Sequence, residues 1–120
     1  LPLTRLAMRA LPDADAWVAL HSNPGPEHVF VDPQTGQLTG IIDFGDAYFS
    51  HPALDLRRWP RPIDRAAVHA GYCSEAKTSE GFNQTWRVAC VLTDMLAIAR
   101  DPECRAAGLV ELEELVEQLR

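Results

Sequence analysis

The sequence has few basic residues for its length, and this argues against nucleic acid as a partner. Its 120 residues include 11 Lys and Arg against 17 Asp and Glu, which gives a formal net charge of −6 and a pI of about 5.1. Proteins that bind nucleic acid carry basic patches or stripes that neutralise phosphates. An acidic balance is compatible with a small cationic ligand, but it does not assign one.

Long apolar runs are also absent. No stretch approaches the roughly 20 apolar residues that a membrane-spanning helix needs. The first residues, Leu1 to Arg5, lack the basic segment and the apolar core of a secretory signal. We therefore expect no membrane partner and a cytoplasmic location.

Cysteine is scarce, and its spacing excludes the usual cysteine-based sites. Cys73, Cys90 and Cys104 are odd in number and far apart, and no pair has the spacing of metal ligands. We predict three reduced thiols, with Cys90 in the core of a helix.

What remains is the composition of a small folded domain, with 47% hydrophobic residues. We expect residues 1–120 to form a single domain. The predicted fold class is α+β and mainly α, with one small antiparallel hairpin. Apolar residues at helical spacing predict helices over Leu3–Leu11, Ala53–Trp59, Asp64–Tyr72, Phe82–Arg100 and a last helix that ends at Arg120.

The most informative stretch runs from His21 to Asp46. It opens with a loop, His21–His28, that is rich in polar residues and turn formers. Two short runs of β-branched and large apolar residues follow, Val29–Val31 and Leu38–Ile42, and they predict strands. The segment between them contains Pro and Gly and predicts a turn.

The predicted hairpin brings two side chains with metal-binding chemistry together. If Asp32 pairs with Leu38, antiparallel counting places His28 opposite Ile42, with Asp43 as its diagonal neighbour. An imidazole and a carboxylate that meet at a strand end are suited to hold a divalent cation.

Several other residues carry specific expectations. Trp17 is predicted to lie in the core, and Ala47–His51 is predicted to be an irregular connector. Asp94 interrupts an apolar helix, so it is predicted either to be exposed or to pair with an arginine such as Arg87. The Arg57–Arg58 pair is predicted to be surface charge or to bind nearby carboxylates, rather than phosphate.

The stretch resembles the aminoglycoside phosphotransferase family, whose members have a protein-kinase-like fold. The family's catalytic loop reads His-x-Asp, with Asn or His five residues after the Asp. A hairpin, an Asp-Phe/Trp-Gly-Asp segment and an Asp/His-Pro-Ala-x-Asp-Leu segment follow. The matching positions here are His21, Asn23, His28, Asp43-Phe44-Gly45-Asp46 and His51-Pro52-Ala53-Leu54-Asp55-Leu56.

This resemblance implies transfer of a phosphoryl group from ATP, with Mg²⁺, to a hydroxyl of a small molecule such as a cationic aminoglycoside. Asp43 would be a metal ligand, with His28 as its partner. His21 would brace the loop, and Asp55 would accept hydrogen bonds from the loop backbone. Asp46 would assist the metal or the substrate.

The sequence departs from the family at the catalytic position. Asn23 stands where the family has its catalytic Asp, and an amide cannot take a proton from the acceptor hydroxyl. Loss of a general base costs on the order of 10²- to 10⁴-fold in rate. Pro24 follows, and it restricts the backbone of Asn23 and removes one N–H from the loop. We therefore expect weak activity or none.

The resemblance covers only the C-terminal lobe of the family. There, an N-terminal lobe with a phosphate-covering loop and a lysine precedes the catalytic loop. The twenty residues before His21 contain neither Gly nor Lys. We therefore expect this chain to be a C-terminal lobe, as a piece of a longer protein or a shortened relative. The expected partners are an N-terminal lobe or a second copy.

Three functions remain open from the sequence. The first is the phosphotransferase activity of the family. The second is a non-catalytic, pseudokinase-like binding or interaction module. The third is a different metal-dependent enzyme that uses His28 and Asp43 with His21 or His51.

Overall fold

A computed structural model describes residues 2–120 as a mainly helical α+β fold. About half of these residues are helical, so the predicted α+β, mainly α class is confirmed, but the strands form two small antiparallel pairs instead of one hairpin. The elements in chain order are α1 (Pro2–Ala10), β1 (Val18–Leu20), β2 (Val29–Val31), β3 (Leu38–Ile41), β4 (Tyr48–Ser50), α2 (Ala53–Leu56), α3 (Pro62–Glu75), α4 (Glu80–Arg100) and α5 (Arg105–Gln118).

Helix α4 is the element on which α1, α2 and α5 pack. It begins where the hydroxyl of Ser79 accepts a hydrogen bond from the Phe82 N–H at 2.9 Å, which satisfies one free donor of the first turn. The core holds Ala7 of α1, Val88, Cys90 and Val91 of α4, and Leu112 and Leu115 of α5.

The cysteines behave as expected from their spacing. Cys90 is buried within α4, and Cys73, Cys90 and Cys104 are all free thiols. Burial raises the pKa of the Cys90 thiol, because the charged thiolate is poorly solvated there. Cys90 is therefore a small apolar core residue with little reactivity.

Two helices differ in length from their predictions. Helix α2 ends at Leu56 rather than at Trp59, and α3 extends from Pro62 to Glu75. Pro62 fits the first turn of α3, where a missing N–H costs no hydrogen bond.

No helix within residues 2–120 is both long and apolar enough to span a membrane. The cytoplasmic location stays a prediction.

The apolar run Trp17–Leu20 predicts a short buried strand, which matches β1 in its position, but neither β4 nor the pairing of β1 with it was predicted. Ala47–His51 is not irregular, because Tyr48–Ser50 forms β4 and pairs with β1, with Leu20 opposite Tyr48. Both strands are three residues long and lie far apart in the chain, so no short turn between them indicates their pairing in the sequence. The pairing places Leu20, the residue before His21, opposite Tyr48, which lies two residues after the Asp43–Asp46 segment.

The predicted register of the β2–β3 hairpin is right at one end and wrong at the other. The Ile42 N–H donates to the His28 carbonyl at 3.0 Å, as the pairing of these two residues requires. At the turn, however, Asp32 bonds to Gln37 instead of Leu38. A bulge between Phe30 and Val31 absorbs the shift, so the end that carries His28 keeps the predicted register.

Trp17 is not a core residue, because 69% of it is exposed. It precedes β1, and the two strand pairs are small sheets whose apolar side chains lie largely open to solvent. Phe30, Phe44 and Phe49 are exposed in the same region of the sequence.

Asp94 is buried, and its partner is not Arg87. It forms an ion pair with Arg65 of α3, whose side chain is 0% exposed and also pairs with Glu111 of α5. We call Arg65, Asp94 and Glu111 the buried cluster. The predicted exposure of Asp94 was wrong, whereas the alternative of an arginine partner was right in kind. The partner, Arg65, lies 29 residues earlier in the chain, where periodicity does not indicate it.

The buried cluster also ties down the segment between α2 and α3. Arg65 Nη1 donates to the carbonyls of Trp59 at 2.8 Å and Pro60 at 3.0 Å. Burial raises the pKa of Asp94 to about 7, and its hydrogen bond with Glu111 acts in the same direction, while Arg65 opposes both. The guanidinium of Arg65 thus faces two carboxyl groups. Asp94 is the more buried of the two, and its raised pKa favours the protonated form.

Replacing Arg65 with Ala is expected to destabilise the fold by about 3–5 kcal/mol, because it strands buried carboxyl groups and frees the Trp59–Pro60 segment. Urea unfolding measures this change. Arg61→Ala is the matched control, because Arg61 is mostly exposed and pairs with Asp64 at the start of α3. Equal losses for the two variants would contradict a central role of the buried cluster.

Candidate functional site

Asp55 of α2 fixes the start of the loop His21–His28. Its carboxylate accepts hydrogen bonds from the N–H groups of His21, at 2.7 Å, and Ser22, at 2.8 Å. Ser22 has a φ of 84°, which is unfavourable for a residue with a side chain. Arg58 Nε donates to the Ser22 carbonyl at 2.7 Å, so the α2 region holds this peptide from both sides.

His21 connects the loop to the end of the hairpin. Its Nε2–H donates to the Ile42 carbonyl at 2.6 Å, and its Nδ1 accepts the Asn23 N–H at 3.2 Å. These partners fix one neutral tautomer. The buried ring also lies against Phe44, with 4.4 Å between the ring centroids. Both nitrogens of His21 are therefore occupied by the chain itself.

The middle of the loop His21–His28 packs tightly against the backbone of Arg58. A Cβ atom on Gly25 would lie 2.8 Å from the carbonyl oxygen of Arg58, so a side chain there requires movement of the backbone. The Gly25 carbonyl accepts the His28 N–H at 3.0 Å and closes the turn that leads into β2.

His28 and Asp43 lie next to each other at the end of the hairpin. His28 Nδ1–H donates to the Asn23 carbonyl at 2.8 Å, which leaves the lone pair of Nε2 free in the neutral ring. This Nε2 lies 3.4 Å from Asp43 Oδ2. Asp43 has a φ of 67°, and within residues 2–120 only Ser22 shares such a backbone without being glycine.

The His28–Asp43 pair fits two neighbouring positions around one cation. Ligands about 2.1 Å from Mg²⁺ at right angles lie about 3 Å apart, close to the separation seen here. No third His, Cys, Asp or Glu completes a metal cluster in the part of the chain that the structure describes. Water and phosphate oxygens would have to fill the other positions, as is usual for Mg²⁺ at nucleotides.

The two remaining candidate groups are placed differently. Asp46 is exposed and makes no hydrogen bond or ion pair within residues 2–120. His51 is buried, donates from Nε2 to Asp15 at 2.9 Å and accepts the Ala53 N–H at Nδ1. Because His21 and His51 are both occupied elsewhere, a separate metal enzyme built from them finds no support.

Asn23 lines two clefts. The first, of about 210 Å³, is lined by Asn23, His28 and Arg58 among others. The second, of about 250 Å³, lies between the Arg57–Pro60 segment and α4. Asn23 and Arg58 line both clefts, so the family's catalytic position stands where they meet.

The roles of the two adjacent arginines were not found from the sequence. Arg58 binds a backbone carbonyl, and neither Arg57 nor Arg58 pairs with a carboxylate within residues 2–120. Both are half-buried, unlike the surface charges that were predicted. Nothing in the local sequence distinguishes Arg58 from Arg57, because the contact depends on how α2 meets the loop.

Comparison with known protein families gives one match. A model of the phosphotransferase enzyme family matches residues 3–89, which include the loop, the hairpin, α2 and the first part of α4. This match confirms the family resemblance seen in the sequence. No curated protein and no solved structure matches the chain.

Replacing Asp55 with Ala is expected to lower the free energy of unfolding by about 2 kcal/mol or more, because two hydrogen bonds to a charged acceptor are lost. The amide protons of His21 and Ser22 should also lose protection from hydrogen exchange. Asp13→Ala removes an exposed carboxylate that forms no hydrogen bond or ion pair within residues 2–120 and serves as the control. If hydrogen exchange at His21 and Ser22 were as slow in Asp55→Ala as in the natural chain, this carboxylate would not hold the loop backbone.

Proposed function

Because the chain belongs to the phosphotransferase enzyme family, we propose that it forms the metal- and acceptor-binding part of an ATP-dependent kinase for small molecules. The family uses ATP and Mg²⁺ in general and has a protein-kinase-like fold. In this proposal the chain is the C-terminal lobe, and the acceptor group is a hydroxyl.

The observation that carries the proposal is the position of Asn23. Its backbone carbonyl accepts a hydrogen bond from the ring of His28, which orients Nε2 towards Asp43, and Asn23 lines both clefts. A phosphoryl donor and an acceptor must meet at one point in line, because this chemistry depends mainly on positioning and charge neutralisation.

Each site residue then has a defined task. His28 and Asp43 would hold Mg²⁺, which neutralises charge on the nucleotide phosphates when it is bound. His21 and Asp55 keep the loop in its strained backbone conformation. Asp46 is free to reach metal-bound water or substrate, since nothing within residues 2–120 holds it.

Asn23 limits what the site does to the acceptor. Its amide oxygen accepts a hydrogen bond from a hydroxyl and orients it, but it does not remove the proton. We therefore propose slow transfer, with the proton leaving to water. General-base catalysis would add on the order of 10²- to 10⁴-fold.

The exposed apolar side chains on the strands give the proposed lobe a natural partner surface. Phe30 and Phe49 are exposed on the two strand pairs, and Trp17 is exposed directly before β1. Large exposed apolar groups often mark contact surfaces. An N-terminal lobe, or a second copy of the chain, is the proposed cover.

A second candidate function is a non-catalytic, pseudokinase-like binding module. The observation that favours it is the amide at Asn23, since the site keeps the metal pair and lacks the base. This candidate predicts ligand binding without phosphoryl transfer.

Restoring the family's carboxylate separates the two candidates. In the full-length natural protein, Asn23→Asp is expected to raise ATP-dependent phosphorylation of small alcohols by about 10²- to 10⁴-fold. The rate is measured as acceptor-dependent release of ADP. Gln34→Glu, an equivalent amide-to-acid change at the exposed turn, should leave the rate unchanged. No transfer by Asn23→Asp, with any acceptor offered, would leave only the binding module.

A further inference from the structure

The second cleft carries a strong positive charge that the proposed chemistry does not use. Three of its lining residues are Arg57, Arg58 and Arg100, and no Asp or Glu lines it. Asn23 stands at the same cleft and connects it to the proposed reaction centre.

The three arginines form no close ion pair within the described residues, although the charge of Asp55 acts on Arg57 and opposes the lowering of its pKa. Within residues 2–120, none of Arg57, Arg58 and Arg100 forms an ion pair with a carboxylate. Arg61, which directly precedes α3, pairs with Asp64 of that helix, and Arg87 pairs with Glu80 on α4. The carboxylate closest in sequence, Asp55, is occupied by the N–H groups of the loop.

Two of the three arginines, Arg57 and Arg58, are partly removed from water, whereas Arg100 is exposed. Arg57 is half-buried, and burial lowers the pKa of its guanidinium, with the like charge of Arg58 acting in the same direction. Arg58 Nε donates to the Ser22 carbonyl, and the two terminal nitrogens of its guanidinium remain available to donate hydrogen bonds to a ligand. Half-buried guanidinium groups that lack a carboxylate are favourable partners for an oxyanion, because they bind it through two parallel hydrogen bonds.

We propose that the second cleft binds an oxyanion, a carboxylate or a phosphate group, on the acceptor substrate. This inference rests on the proposed function, and it deepens it by naming the substrate class as anionic alcohols. It points away from a cationic aminoglycoside, whose ammonium groups would meet three arginines. Trp59 and Leu96 add apolar surface to the wall of the cleft and would cover the carbon skeleton of such an acceptor.

The test uses inorganic phosphate as the probe, with the chain free of Mg²⁺ and nucleotide. Phosphate is titrated while the Nε–H signals of the arginines are followed by NMR. We expect saturable shifts of the Arg57, Arg58 and Arg100 signals, and no saturable shift with spermidine, a polyamine cation. Arg57→Gln and Arg100→Gln should each weaken phosphate binding by about 10-fold or more.

Arg87→Gln is the matched control, because Arg87 lies on α4 with Arg100 but outside the cleft. Equal weakening by Arg87→Gln, or shifts of all arginines without saturation, would overturn the inference. So would loss of phosphate binding when a non-hydrolysable ATP analogue and Mg²⁺ are added, since the arginines would then serve the nucleotide. The wild-type shifts decide the matter even if a variant fails to fold.

The outcome is independent of catalysis. Phosphate binding is measured without ATP, so its failure leaves the Asn23→Asp activity to be judged separately. Saturable binding to an inactive Asn23→Asp protein would support an anion site in a binding module. Transfer to cationic alcohols without phosphate binding would refute the anionic substrate class alone.

Discussion

The site depends on the two hydrogen bonds that the Asp55 carboxylate accepts from the backbone N–H groups of His21 and Ser22. One carboxylate accepts both N–H groups, and Arg58 holds the next carbonyl, so a peptide with an unfavourable φ keeps its place. Backbone strain of this kind costs on the order of 1–3 kcal/mol and persists only where the surroundings overdetermine it. The strained turn directs Asn23 to the point where the two clefts meet, and Asn23 in turn orients His28.

Charge is distributed in two contrasting ways around this loop. The buried cluster neutralises Arg65 with two carboxyl groups and thereby joins α3, α4 and α5 to the segment after α2. A few residues away, Arg57 and Arg58 remain without carboxylates at a cleft. The first arrangement stabilises the fold, while the second leaves cationic side chains available for a ligand. The same helices thus supply both the support and the proposed binding surface.

Local patterns in the sequence predicted much of this arrangement, because the interactions concerned are local. Helical periodicity located the helices, and counting along an antiparallel hairpin brought His28 to Asp43, since the bulge lies beyond the pair. Contacts between distant segments were missed: β1 with β4, Arg58 with Ser22 and Arg65 with Asp94. Periodicity shows which face of a helix is apolar, but it does not identify the partner of a single buried charge. The family resemblance predicted that Asp55 accepts hydrogen bonds from the loop backbone, as observed, and it suggested the role proposed for Asn23.

The central claim is that His28 and Asp43 hold Mg²⁺ with a nucleotide, and calorimetric titration with ATP and Mg²⁺ tests it most directly. Asn tolerates positive φ, so Asp43→Asn removes the charge while keeping the backbone. The account predicts metal-dependent ATP binding that weakens at least about 10-fold in Asp43→Asn, because a ligand charge is lost. Asp13→Asn, the same change at an exposed site, should bind like the natural chain. Equal binding by Asp43→Asn, or binding that does not depend on Mg²⁺, would contradict the account.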